Sequence, residues 1–162
     1  MINGIDAFDF SGSSVSGAGD INGDGVDDVI IGANGADPNG NSYAGESYVV
    51  FGDSSAFSGG VFELSSLDGS NGFVINGIDG FDRSGSSVNS AGDVNGDGLA
   101  DLLIGASGAD PAGESYVVFG GTGVGAGGGV ELSDLNGIDG FVLNGVNGVN
   151  SGDGSGLSLI HI

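Results

Sequence analysis

Two nine-residue segments concentrate oxygen-bearing side chains at one fixed spacing. They read Asp20-Ile21-Asn22-Gly23-Asp24-Gly25-Val26-Asp27-Asp28 and Asp93-Val94-Asn95-Gly96-Asp97-Gly98-Leu99-Ala100-Asp101. In both, Asp stands at positions 1, 5 and 9, Asn at position 3, and Gly at position 6, where the chain must turn sharply. Alternation brings every second side chain to the inner side of a tight loop. The residue after the turn glycine, Val26 or Leu99, offers a backbone carbonyl. These are hard oxygen donors. Calcium takes roughly six to eight of them at flexible geometry, whereas magnesium demands a stricter octahedron and keeps its waters. The pattern therefore favours Ca2+, about two ions per chain, with water or a bidentate Asp completing each shell.

Two other readings of these segments account for them less well. An EF-hand places a bidentate Glu at position 12 of its loop and flanks it with helices. That position falls on Ile31 and Ile104, and the flanking runs are strand-like. A metal-free Asn-Gly or Asp-Gly hairpin turn explains one dipeptide, but not four spaced oxygen side chains occurring twice. Asp27 is expected to face solvent, because Ala100 stands in its place in the second segment.

The elements that position these loops repeat with them. Phe8–Ala33 (FDFSGSSVSGAGDINGDGVDDVIIGA) returns as Phe81–Ala106 (FDRSGSSVNSAGDVNGDGLADLLIGA) at an offset of 73. Ala44–Gly52 (AGESYVVFG) returns unchanged as Ala112–Gly120 at an offset of 68. The first copy therefore holds five extra residues (73 − 68 = 5), placed near Asn39–Tyr43 in a loop. A third copy starts at Phe141 and stops before its aspartate loop. The division expected is 1–72 for the first repeat, 73–140 for the second, 141–156 for the start of a third, and 157–162 for an anomalous tail. That tail (LSLIHI) has no counterpart in the repeat and looks foreign to it. The whole is read as a fragment of a longer array, cut at both ends.

Short β-rich runs lie between Gly, Asn, Asp and Ser clusters. Strands are expected near Val15–Gly19, Asp28–Gly32, Ser47–Phe51 and Gly72–Ile78. In the second copy they fall near Val88–Gly92, Asp101–Gly105, Ser115–Phe119 and Gly140–Val146. Val29-Ile30-Ile31 and Leu102-Leu103-Ile104 are continuously apolar, which suits strands covered on both faces. No helical period is visible. Four short strands in a unit of this length suggest an all-β fold of propeller-like blades.

Composition bounds the partners. The 162-residue chain has 22 acidic residues against one basic residue, Arg83, for a net charge of −21. Such a charge repels phosphate backbones and anionic membrane surfaces, so neither nucleic acid nor membrane insertion is expected. Two divalent cations would bring it to −17 (−21 + 4). Cysteine is absent, which removes disulfides, thiolate metal sites and Cys nucleophiles. No signal peptide and no bilayer-spanning run is visible.

D-x-N-x-D-G-x-x-D, an apolar strand ending in Ile31-Gly32-Ala33 or Ile104-Gly105-Ala106, and then Tyr-Val-Val-Phe-Gly together resemble the FG-GAP repeat. That repeat builds the seven-bladed β-propeller of integrin α-subunits and many bacterial surface proteins. The FG elements are Phe51-Gly52 and Phe119-Gly120, while the GAP positions read Gly32-Ala33-Asn34 and Gly105-Ala106-Ser107, without the final Pro. The resemblance implies a structural calcium ion in a loop joining adjacent strands. It would be held by Asp20, Asn22, Asp24, the Val26 carbonyl and Asp28, and by Asp93, Asn95, Asp97, the Leu99 carbonyl and Asp101. It implies a partial β-propeller, with two four-stranded antiparallel blades and the start of a third. It also implies an extracellular or cell-surface setting. Two blades cannot close a ring of seven, so neighbouring blades or self-association are expected to be needed.

The leading functional expectation is a calcium-stabilised interaction module presenting its loops to a protein or glycan partner, without catalysis of its own. The alternative is a non-catalytic fragment of a secreted hydrolase. Lys and Cys are absent, the single His161 lies in the tail, and no nucleophile elbow occurs. A calcium-binding β-roll would need tandem G-G-x-G-x-D nonapeptides, which the Gly-rich stretch Gly125–Gly129 does not supply. Arg83 is expected to pair with Asp82 or Asp79. The recurring Phe8, Phe81, Tyr48, Tyr116, Phe51 and Phe119 are expected in the core between blades.

Overall fold

The computed structural model describes residues 1–52 and 60–146. The third-repeat segment beyond residue 146, His161 and the 157–162 tail lie outside them. In the first repeat the strands are β1 (Ile2–Asn3), β2 (Ser14–Gly19), β3 (Asp28–Ala33), β4 (Glu46–Val50), β5 (Phe62–Glu63) and β6 (Gly72–Asn76). In the second they are β7 (Ser84–Gly92), β8 (Asp101–Ala106), β9 (Glu114–Val118), β10 (Gly129–Glu131) and β11 (Gly140–Asn144). The fold is all-β. Among the described residues, helical geometry is confined to three-residue 3-10 turns such as Leu64–Ser66 and Leu132–Asp134. No helix among them is long and apolar enough to cross a membrane.

The repeats give two antiparallel meanders. One runs β2-β3-β4-β6 and the other β7-β8-β9-β11. Register is the same in both: Ile30 faces Val49 and Val49 faces Phe73, just as Leu103 faces Val117 and Val117 faces Phe141. In each sheet the two middle strands carry the continuous apolar runs and bury most of their residues. Ile30 and Val49 enter the core between the sheets, while Ile31, Tyr48 and Val50 enter a second cluster on the opposite face. Tyr48 and Tyr116 bury their rings and donate their hydroxyls to Glu46 and Glu114, two residues earlier on the same strand face.

The sheets lie face to face through their first strands. Ser16 Oγ donates to Asn89 Oδ1 at 2.7 Å, and the Val88 amide donates to Ser14 Oγ at 3.0 Å. Sequence reasoning missed the three shortest strands, β1, β5 and β10. β10 adds in parallel to β6, so the first sheet has a fifth strand, and β5 adds in parallel to β1. These are one device seen twice: Ile75-Asn76 pairs with Val130-Glu131 as Ile2-Asn3 pairs with Phe62-Glu63. Even the side-chain bond recurs, Asn76 to Glu131 at 2.6 Å and Asn3 to Glu63 at 2.8 Å.

Candidate metal centre

Each aspartate loop connects the first two strands of its sheet. Asp20 sits at its hub. Its Oδ1 accepts from the amides of Gly23 (2.8 Å) and Asp24 (3.1 Å), and its Oδ2 from Gly25 (3.0 Å). Asp93 does the same with Gly96 (2.7 Å), Asp97 (3.1 Å) and Gly98 (2.9 Å). Gly23 and Gly25, like Gly96 and Gly98, have φ between 80° and 92°, which turns their amides inward and is cheap only for glycine. Asn22 Oδ1 accepts from the Asp24 amide at 2.9 Å, and Asp24 Oδ1 accepts from the Val26 amide at 2.8 Å. Asn95, Asp97 and Leu99 repeat this pair of bonds, both at 2.9 Å.

The position-9 aspartates behave differently. Asp28 and Asp101 open β3 and β8 and are buried. Asp28 Oδ2 accepts from the Ile21 amide at 3.0 Å and its Oδ1 from the Gly52 amide at 2.8 Å. Asp101 takes the amides of Val94 (2.6 Å) and Gly120 (2.9 Å). Each carboxylate thus ties the start of its loop to the turn after the third strand. Burial foremost pushes the Asp28 carboxyl above its ordinary pKa; the two amides oppose that, and the Asp24 and Asp20 charges add to it.

Both matched stretches of the FG-GAP family model, residues 11–50 and 84–118, contain one of these loops and its flanking strands. The chain carries FG-GAP repeats. The antiparallel sheets accord with FG-GAP blades. No curated protein matches the chain. Just beyond each matched stretch, the glycine of the FG pair, Gly52 or Gly120, supplies the amide that the position-9 aspartate takes. It must be glycine: a Cβ on Gly52 would stand 2.1 Å from the Asp27 carbonyl oxygen, and one on Gly120 2.3 Å from that of Ala100. The recurrence of Phe-Gly was the signal for this contact, but its partner could not be read from spacing.

As the side chains stand, no group of three or more carboxylate, imidazole or thiolate residues among the described residues is gathered to hold a metal ion. The carboxylate oxygens are turned instead to nearby donors: Asp20 and Asp93 to the loop amides, Asp24 and Asp97 to a loop amide and the neighbouring Asn side chain, and Asp28 and Asp101 to one loop amide and the glycine of the FG pair. The donor set still fits a hard cation. Asp20 Oδ1 is filled by two amides, but Asp20 Oδ2 and the Asp24 and Asp28 oxygens each accept a single bond and keep a further lone pair, and the Asp24 and Asp20 charges both act on Asp28. Val26 is exposed and Leu99 partly so. Asp27 is exposed, as the sequence suggested.

Two sequence expectations are corrected. Phe51 and Tyr116 lie in the core between the sheets, Tyr48 lies in the cluster on the opposite face and Phe119 is half-buried, but Phe8 and Phe81 are 78% and 64% exposed, on loops rather than between the sheets. Arg83 lines a cavity of about 590 Å3 with Phe10, Asn34 and Tyr43. Asp82, nearly buried, accepts instead from the Asp79 amide at 3.2 Å.

Proposed function

We propose that the chain is a calcium-stabilised structural and interaction module of an extracellular or cell-surface protein, built as blades of a β-propeller. The observation that carries this reading is the pair of FG-GAP loops, each an Asp-Asn-Asp ring locked to the FG turn by a buried aspartate. FG-GAP repeats often bind Ca2+. Here Asp20, Asn22, Asp24, the Val26 carbonyl and Asp28 would hold one ion, and Asp93, Asn95, Asp97, the Leu99 carbonyl and Asp101 the other. The ion supplies positive charge. The chain supplies a loop already ordered by its own amides, so binding neutralises carboxylates and rigidifies the junction between two strands.

The role is scaffolding rather than catalysis. Exposed Phe8, Phe10, Tyr43 and Phe81 on neighbouring loops offer a protein or glycan partner an apolar surface, with Arg83 beside it. Isothermal titration of the chelator-treated chain with CaCl2, followed in parallel by circular dichroism, tests the metal. About two ions per chain with a rise in melting temperature is expected. Absence of binding, in this chain and in a longer one with more repeats, would overturn it.

A further inference from the structure

The contact between the two sheets is made of two unlike faces. The first sheet contributes Ala18, Ile30, Val49, Phe73 and Ile75, and the second contributes Val88, Leu102, Ile104, Tyr116 and Val118. Because the sequence repeats, each face exists twice. Residues equivalent to the first group are Ala91, Leu103, Val117, Phe141 and Leu143, on the far side of the second sheet. Those equivalent to the second group are Val15, Val29, Ile31, Tyr48 and Val50, on the far side of the first. Every equivalent is apolar or aromatic. The far face of the first sheet is therefore shaped to receive what the far face of the second presents.

Both outer copies are partly open. Val15 is 64% exposed where its equivalent Val88 is 5% exposed, and Leu143 is 50% exposed where Ile75 is fully buried. Phe62 and Leu64 pack over Tyr48 and Val50, but Val15, Val29 and Ile31 line a cavity of about 330 Å3. A Cβ on Gly85 would strike the Glu46 carbonyl oxygen at 2.5 Å, whereas one on its equivalent Gly12 meets nothing. The same close approach is prepared at Gly12 and left unfilled.

We propose that the chain associates head to tail with a second copy of itself, the far face of one molecule's second sheet seated on the far face of the next molecule's first sheet. The occupant is a second copy because its exposed face is the repeat-equivalent of the one already covering such a surface inside the chain. At one point the place is taken: β1 pairs with β5, and a docked Leu143-Asn144, equivalent to Ile75-Asn76, displaces Ile2-Asn3. The contact is heterologous, so it propagates instead of closing on a two-fold axis. None of the calcium-ligand candidates lies among the contact residues named, so this inference stands apart from the metal reading. The net charge of −21 opposes association, and salt relieves that opposition.

Sedimentation velocity of the full chain at about 1 M NaCl, where the screening length is about 3 Å, over a concentration series tests this. Mass is expected to grow with concentration. Val15→Asp and Leu143→Asp each block one face at an exposed position, with folding checked by circular dichroism. Each variant alone is expected to stay monomeric. An equal mixture is expected to give a one-to-one dimer and nothing larger, since each supplies the face the other lacks. A wild-type chain that stays monomeric throughout, single variants that assemble as the wild type does, or a mixture without dimer would each overturn the proposal. The first outcome would leave the face to a further repeat of a longer chain or to another partner.

Discussion

Asp28 joins two backbone amides from separate segments, and its removal leaves both without an acceptor in a buried setting. Asp28→Ala is expected to destabilise the calcium-free chain by about 2–4 kcal/mol in urea melts, in line with lost hydrogen bonds to a charged group. Asp27→Ala, at an exposed site where the second repeat has Ala100, is expected to change stability by less than about 0.5 kcal/mol. Equal effects would deny Asp28 its anchoring role. Glu46 makes a second residue-scale case. Burial foremost raises its pKa above 4.5; the Tyr48 hydroxyl opposes this, and the Asp9, Asp6 and Glu131 charges add to it. Burial likewise raises Asp9 and Asp82. A carboxyl whose pKa is raised by folding binds its proton more tightly in the folded state. Stability therefore falls as pH rises from the unfolded value through the folded one, and recovers on acidification. Melting temperature in chelator is expected to rise from neutral pH toward about pH 5, and Glu46→Gln to flatten that slope. A melting temperature that only falls over this range would contradict the assignment.

At the scale of elements, the loops are distinct in ligands but not in backbone. The Ala100 amide donates to the Asp20 carbonyl at 3.0 Å and the Gly121 amide to that of Ile21 at 2.8 Å, so the second loop rests on the first. Asp24→Ala touches neither bond. It is expected to lower calcium stoichiometry from about two to about one while the second loop retains its ion; unchanged stoichiometry would remove Asp24 from the ligand set. The strands were legible because Gly, Asn and Asp punctuate short runs of Val, Ile and Leu, and because each run occurs twice. β5 and β10 were not legible. Two or three residues show no period, and their partners lie 60 and 55 residues away. Likewise, repetition of Phe8 as Phe81 shows that two environments match, not that either is buried. The loop ligand pattern could be read from spacing alone. That Asp28 and Asp101 reach the glycines of the FG pairs could not, because 24 and 19 residues separate the partners.

For the whole molecule, charge is the dominant long-range term. With 22 acidic residues and one basic residue, the calcium-free chain repels itself at every separation within the screening length, about 10 Å at 0.1 M salt. Its melting temperature is expected to rise with NaCl before calcium is added, and the increment from calcium to shrink at high salt. A salt-independent melting temperature would mean that the carboxylates are too dispersed to matter. The pairing of β5 with β1 and of β10 with β6 has a consequence for chain length. The same parallel pair occurs at the start of the first repeat and again between the two repeats, and the faces that meet between the sheets recur in sequence on their far sides. Deleting or duplicating one unit of sequence leaves every remaining junction chemically familiar. A chain of this kind can lengthen or shorten by whole units of sequence, because a gained or lost unit meets surfaces and strand edges of the type already present.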